Sequence, residues 1–279
     1  MAVISFWSGE DKSSAQTLSM VAVATHMSIL HNYKVLVIDA QFNDDTLERC
    51  FWNTKNKKSV AQTLNKGKID LASGAEGLVS AVASNKTSPE IVKNYTKVVF
   101  KNRLDILIGL KTKIFEDYEK SMMLYKDLIN TANKYYDLVF VDLPKTVKKD
   151  YTRAILDLSS VIVYTMPQNL KLIDEYVANV RSQTTLKRGN VIPVLTNVND
   201  DSKYNIKNTT RYIGEKSDIA GIQYNSNFME SASEAGVANF FLKTRLSTTP
   251  MDKNGLFVNS VDSVSKKILL KLQELKYQV

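Results

Sequence analysis

The chain is 279 residues long, with 44% hydrophobic residues, 24% charged residues and a formal charge of +8. Those proportions suit a protein that buries its own core and exclude a disordered or fibrous chain. A single cysteine, Cys50, excludes an internal disulfide framework, and no apolar run approaches the roughly 18–20 residues that span a bilayer. The chain begins on a short apolar strand and not on a secretion signal, so a cytoplasmic protein is expected.

In chain order, residues 3–7 form an apolar run, followed by a loop opening on Gly9, a helix over 15–31 and a second apolar run over 34–38 ending in Asp39. Further apolar runs predict strands over 97–101, 104–108, 137–142, 160–166, 191–197 and 219–223. Several are continuous and not alternating, as expected of strands buried on both faces. Helical spacing falls over 59–65, 76–84, 119–136, 150–156, 170–182 and 261–276, and Ser88-Pro89 opens another short helix. Strands alternating with helices predict an α/β fold, a doubly wound and mainly parallel sheet with helices on both faces in a three-layer, Rossmann-like arrangement. No repeat, low-complexity tract or Pro/Gly-rich linker divides the chain, so a single domain over 1–279 is expected. Its least regular part, about 43–113, reads as a middle insertion, either a partner-binding face or a cap over the sheet.

The first strand, loop and helix frame a phosphate loop of the form G-x-x-x-x-G-K-S/T. Residues Gly9 to Gln16 fill that frame as GEDKSSAQ, which puts Ser14 at the second glycine, Ala15 at the lysine and Gln16 at the hydroxyl residue. Phosphoryl chemistry on such a sheet needs three things: backbone amides around the phosphates, carboxylates for Mg2+ and positive charge. Asp39 and Asp142 each close an apolar strand at the carboxyl edge, where open α/β sheets bind ligands. They are the candidate catalytic and Mg2+-holding residues.

This order of motifs resembles the ParA/MinD family of P-loop ATPases (SIMIBI class), whose deviant phosphate loop reads K-G-G-x-G-K-T-T. The resemblance covers nearly the whole chain, through Asp39, through Asp142 with Pro144 as the family's D-x-P, and through the segments LSSVIVYTMPQNLKLIDEY, VIPVLTNV and GIQYNSNFMESASEAG. It implies ATP and Mg2+ as ligands, with Asp39 and Asp142 flanking the metal and the attacking water. It implies Asn197 against adenine, the loop positions Gly9, Glu10, Asp11, Lys12, Ser13, Ser14, Ala15, Gln16 and Thr17 around the phosphates, and a homodimer. The loop departs from the family pattern in its charges. Glu10 stands where the signature lysine reaches across the dimer, Ala15 replaces the phosphate-loop lysine, and Gln16 replaces the threonine that ligates Mg2+, while Thr17 keeps the second hydroxyl. A like-charge contact near 4 Å costs on the order of 4 kcal/mol at an effective dielectric of 20, roughly a thousandfold in binding. Losing a transition-state cation costs a further factor of about 10³ in rate. Lys12, at a position normally glycine, is either a compensating cation or a solvated loop lysine. ATP and Mg2+ binding is therefore expected to be weak or absent, and hydrolysis slow or absent.

Within that family, ISFWS and GLVSAV…SPEIVKNYTKVVFKNRLDILIG are similar to TadZ/CpaE-like proteins of Flp (Tad) pilus systems. That similarity implies a bacterial scaffold or positioning factor, weakly ATP-binding or a pseudo-ATPase, for pilus and secretion assembly proteins, with membrane contact indirect at most. The +8 charge keeps open an alternative, a ParA-type chromosome or plasmid partitioning ATPase that binds nonspecific DNA. Its basic clusters are Lys55, Lys57 and Lys58, then Lys145, Lys148 and Lys149, then Lys187 and Arg188. His26 and His31, the only histidines, lack a third ligand for a metal, and Cys50 reads as a packed, inert thiol. The last helix, apolar at Val261, Val264, Ile268, Leu272 and Leu275, is expected to pack on the sheet.

Overall fold

The structure, a computed structural model, describes residues 1–9, 14–53, 74–84, 88–145, 149–182, 186, 189–214, 219–245 and 252–276. The expected helix over 59–65, the loop residues Glu10, Asp11, Lys12 and Ser13, and the basic positions Lys55, Lys57, Lys58, Lys148, Lys187 and Arg188 lie outside the described residues.

Eight strands form one sheet: β1 (Ala2–Trp7), β2 (Val35–Asp39), β3 (Lys97–Phe100), β4 (Leu104–Leu107), β5 (Leu138–Asp142), β6 (Val161–Pro167), β7 (Val191–Val198) and β8 (Ala220–Gln223). Their order is β3-β4-β2-β5-β1-β6-β7-β8, with every pairing parallel except that of β3 with β4. Each strand lies within one residue of its expected bounds. The described helices are α1 (Gln16–Leu30), α2 (Thr46–Phe51), α3 (Ala75–Ala83), α4 (Phe115–Met122), α5 (Tyr125–Asn133), α6 (Asp150–Leu158), α7 (Leu170–Ser182), α8 (Ile206–Ile213), α9 (Ser226–Ser233), α10 (Val237–Thr244) and α11 (Lys253–Lys276). Pro89–Asn94 forms the short helix expected after Ser88, as a 3-10 turn.

Every residue of β1 is buried, and successive side chains point to opposite faces of the sheet. Ile4 and Phe6 join Val35, Val37 and Phe140 on one face, under α1, α2, α9, α10 and α11. Val3 and Trp7 join Leu36, Ile38, Val139 and Val141 on the other, under α3 to α7. Helix α1 is buried on nearly every side because it lies between the sheet and α11, which explains an apolar and small-residue sequence with little polar face.

Three differences from expectation have local causes. The stretch 119–136 holds two helices, not one, with a break at Met123–Leu124. Tyr118 and Met122 are buried from the first helix and Tyr125, Leu128 and Ile129 from the second, so apolar spacing runs through the break. The last helix starts at Lys253, well before 261, because Phe257 and Val258 are also core residues. The short helices α2, α8, α9 and α10 add to the expected set. Two of them open on asparagine caps, Asn205 accepting from the Asn208 amide and Asn225 from the Phe228 amide. Of the stretch 43–113, the described part supplies α2, α3, the 3-10 turn and two strands that extend the sheet beyond β2. No helix among the described residues is long and apolar enough to cross a membrane.

Candidate functional site

Asp39 and Asp142 are the last residues of β2 and β5, which are neighbours, and they pair directly in the parallel register. Adjacent strands lie about 4.8 Å apart, so the two carboxylates leave the backbone side by side. Alternation along each strand sends both toward the face covered by α1, since Val37 and Phe140, two residues earlier, belong to that face. Both are buried, Asp142 completely. On the other side of β5, β1 runs out through Ser8 and Gly9 beside the start of α1.

The chain turns sharply there. Gly9 has φ 68°, and a Cβ on it would lie 2.9 Å from the Tyr164 hydroxyl oxygen, so both conformation and space call for glycine. Ala15 sits in the left-handed region at φ 49°, immediately before α1, and gives the helix no side-chain cap. Its methyl stands where a phosphate loop carries its lysine. Among the described residues the buried Ser14 hydroxyl has no hydrogen-bond partner.

The next two residues point at Asp142. Gln16 Nε2 donates to Asp142 Oδ1 at 2.6 Å and to the Leu143 carbonyl at 2.7 Å. Thr17 Oγ1 donates to Asp142 Oδ2 at 2.6 Å. The Gln16 carboxamide is oriented by Ser8, whose hydroxyl donates to Gln16 Oε1 at 2.8 Å. A second glutamine, Gln41, reaches in from the loop after β2, with Nε2 at 2.5 Å from the Leu143 carbonyl and 3.4 Å from Asp142 Oδ1. Asp39 accepts the Gln41 backbone amide at 2.9 Å. The approach of Gly109 closes the remaining side, since a Cβ there would lie 2.8 Å from Asp39 Cγ.

Among the described residues neither carboxylate has an ion-pair partner. Burial pushes Asp39 well above the usual carboxylate range, and the neighbouring Asp142 pushes it further. Burial likewise raises Asp142, to about 6, against the pull of hydrogen bonds from Thr17, Gln16 and Gln41. Two buried carboxylates this close titrate as a pair, and the pair favours holding a proton.

As arranged, these residues do not fit Mg2+. A cation needs open oxygen lone pairs, and here Asp142 Oδ1, Oδ2 and the Leu143 carbonyl already accept hydrogen bonds from Gln16, Thr17 and Gln41 of the chain itself. Among the described residues no group of three or more His, Cys, Asp or Glu side chains is placed to hold a metal. The structure does bring Asn197 near Ala15, through a bulge between Leu195 and Val198 at which Asn197 adopts φ 50°. The crevice they share with Leu18, Asn225 and Phe228 encloses about 10 Å³, room for one water. Gly9, Ser14, Ala15, Gln16, Thr17, Asp39 and Asp142 thus converge on one edge of the sheet, with Asn197 across the crevice. Gln41, Ser8 and Gly109 belong to the same cluster without having been singled out in the sequence. Gln41 stands two residues past a strand-terminal aspartate, and that position was the one signal pointing to it.

Cys50, on α2, lies close enough to this edge to feel the charges of Asp142 and Asp44, while His26 lies apart from it. Burial pushes the Cys50 thiol up to about 12, away from the reactive thiolate. His26, between α1 and α11, is pushed down to about 4 by burial, with Asp262 4.0 Å from its Nε2 opposing that shift.

No family model and no curated protein matches the chain by sequence. Solved structures do match in shape. A ParA family ATPase from Chlorobium tepidum TLS superposes with a TM-score of 0.66 at 15% identity, over 94% of this chain and 96% of that one. The septum site-determining protein MinD from Pyrococcus horikoshii OT3, complexed with Mg-ADP, gives 0.65 at 14% identity, over 97% and 98%. A chain of the MinC:MinD cell division protein complex of Aquifex aeolicus gives 0.60 at 13% identity, over 96% of each chain. The chain has the ParA/MinD ATPase fold. Its eight-stranded, mainly parallel sheet flanked by helices is that architecture from end to end. At these identities the likeness is one of fold, and the residues at the carboxyl edge are the chain's own.

Proposed function

We propose that this chain is a pseudo-ATPase, a ParA/MinD-like scaffold or positioning factor that works without nucleotide turnover. The TadZ/CpaE-like segments point to Flp (Tad) pilus assembly and secretion as its setting, with a homodimer that needs no ATP as the working form. One observation carries the reading: Asp142, on the strand end where the family resemblance puts the Mg2+ carboxylate, is closed by donors from its own chain. Positive charge supports phosphoryl transfer, and Ala15 offers a methyl group where that charge belongs.

Calorimetric titration of the full chain with Mg·ATP tests the reading, with no binding heat expected at millimolar nucleotide. Turnover is expected to equal the background of the Asp142→Asn variant, and sedimentation without nucleotide is expected to give a dimer. A monomer that dimerises only when ATP is added would overturn it. ATP-stimulated, salt-sensitive retention on nonspecific duplex DNA would favour the partitioning alternative instead.

A further inference from the structure

Gln16 and Gln41 reach the same two acceptors from different parts of the chain. Gln16 belongs to the first turn of α1, Gln41 to the loop after β2, and both donate to Asp142 Oδ1 and to the Leu143 carbonyl just past β5. Thr17 supplies a further donor on Oδ2, and Ser8, just past β1, fixes the Gln16 carboxamide. The segments that leave β1, β2 and β5 at the carboxyl edge are thereby tied to one another and to α1. All these side chains are buried, so the hydrogen bonds are made away from water, where their electrostatic strength is greater. Two amide groups turned on a carboxylate and a carbonyl present the same sign of charge as a bound cation, without a hydration shell to strip.

We propose that Gln16 and Gln41 are a built-in ligand: positioning residues whose carboxamides stand in for a divalent cation at Asp142 and brace the segments after β2 and β5 against α1. The proposal rests on the pseudo-ATPase reading and deepens it by assigning the replacement to two side chains. The brace reaches the surface. Gln41 leads into Phe42, whose ring lies 5.1 Å from those of Phe115 and Tyr118. Tyr118 donates its hydroxyl to the Ala40 carbonyl at 2.7 Å, which fixes the same loop from the other side. Ile114 and Phe115, 57% and 38% exposed, therefore form a surface whose shape is set by the chain itself.

The experiment uses the full chain with Mn2+ alone as the probe and no nucleotide. Wild-type thermal stability is expected to be the same with and without millimolar Mn2+. Gln16→Ala is expected to lower Tm by roughly 5–10 °C through loss of donors to a buried carboxylate. It is also expected to gain a saturable Mn2+-dependent rise of about 5 °C, which the added Asp142→Asn change removes. Gln41→Ala is expected to show a smaller version of both effects. Loss of packing alone would lower stability without creating a response to metal. Should Gln16→Ala fail to fold, Gln41→Ala carries the test. Variants that lose stability without gaining a Mn2+ response overturn the proposal, as does a wild-type response abolished by Asp142→Asn. Neither outcome involves ATP, so the titration with Mg·ATP decides the pseudo-ATPase reading separately.

Discussion

Replacing Asp142 with asparagine is expected to make this protein more stable at neutral and alkaline pH. In the folded chain the carboxyl is completely buried, and its pKa is raised by that burial from an ordinary value near 3.8 to about 6. A raised folded-state pKa means that the folded protein holds the proton more tightly than the unfolded chain does. The stabilisation is then fully present below pH 3.8 and is lost as pH rises through about 6. At roughly 1.4 kcal/mol per pH unit, the gap amounts to about 3 kcal/mol lost by pH 8. Asparagine has the same shape and carries no charge to desolvate. Its oxygen still accepts from Gln16 and Gln41, while its new amide group faces Thr17, whose hydroxyl can turn from donor to acceptor. One imperfect hydrogen bond costs about 1 kcal/mol, which leaves a net gain of about 1–3 kcal/mol at pH 8. Removing the neighbouring charge also relieves Asp39, in the same direction. Urea unfolding of both proteins between pH 4 and pH 8 measures the difference, which is expected to shrink toward zero, or reverse, at the acid end. A variant less stable than wild type at pH 8, or a difference that does not change with pH, would refute the argument.

His26 has the opposite sign: its folded-state pKa is depressed by burial to about 4, so its contribution is full above pH 6.5 and disappears as pH falls toward 4. His26→Gln is expected to flatten the acid limb of stability by about 3 kcal/mol, read by the same unfolding series. Gly109→Ala places a methyl 2.8 Å from Asp39 Cγ and is expected to cost about 1–3 kcal/mol in denaturant unfolding. Ala15→Gly relieves a left-handed alanine at φ 49° and is expected to gain about 0.5–1 kcal/mol in the same assay.

Much of the fold was legible because it depends on local patterns repeated many times. Continuous apolar runs such as LVFVD in β5 have few stable placements other than a strand covered on both faces, and every expected strand is in the sheet. Helices were less legible where their signals were short or compensated. Apolar spacing carries through Met123–Leu124 although the backbone does not, and the asparagine caps of α8 and α9 precede polar helices with a narrow buried face.

At the carboxyl edge the division is different. The sequence alone determined that Asp39 and Asp142 end strands, that Ala15 brings no charge to the helix that follows Gly9, and that strands and helices alternate as a mainly parallel sheet requires. Those properties belong to residue type and position along the chain, and they survive any packing. Only the tertiary structure decided what Gln16 and Gln41 do. By sequence Gln16 marks a lost metal ligand and Gln41 is a loop residue. In the folded chain both donate to one buried carboxylate more than a hundred residues away. Hydrogen bonds over that separation have no periodicity to betray them, because they exist only once parallel pairing has set Asp39 beside Asp142 and brought α1 over both.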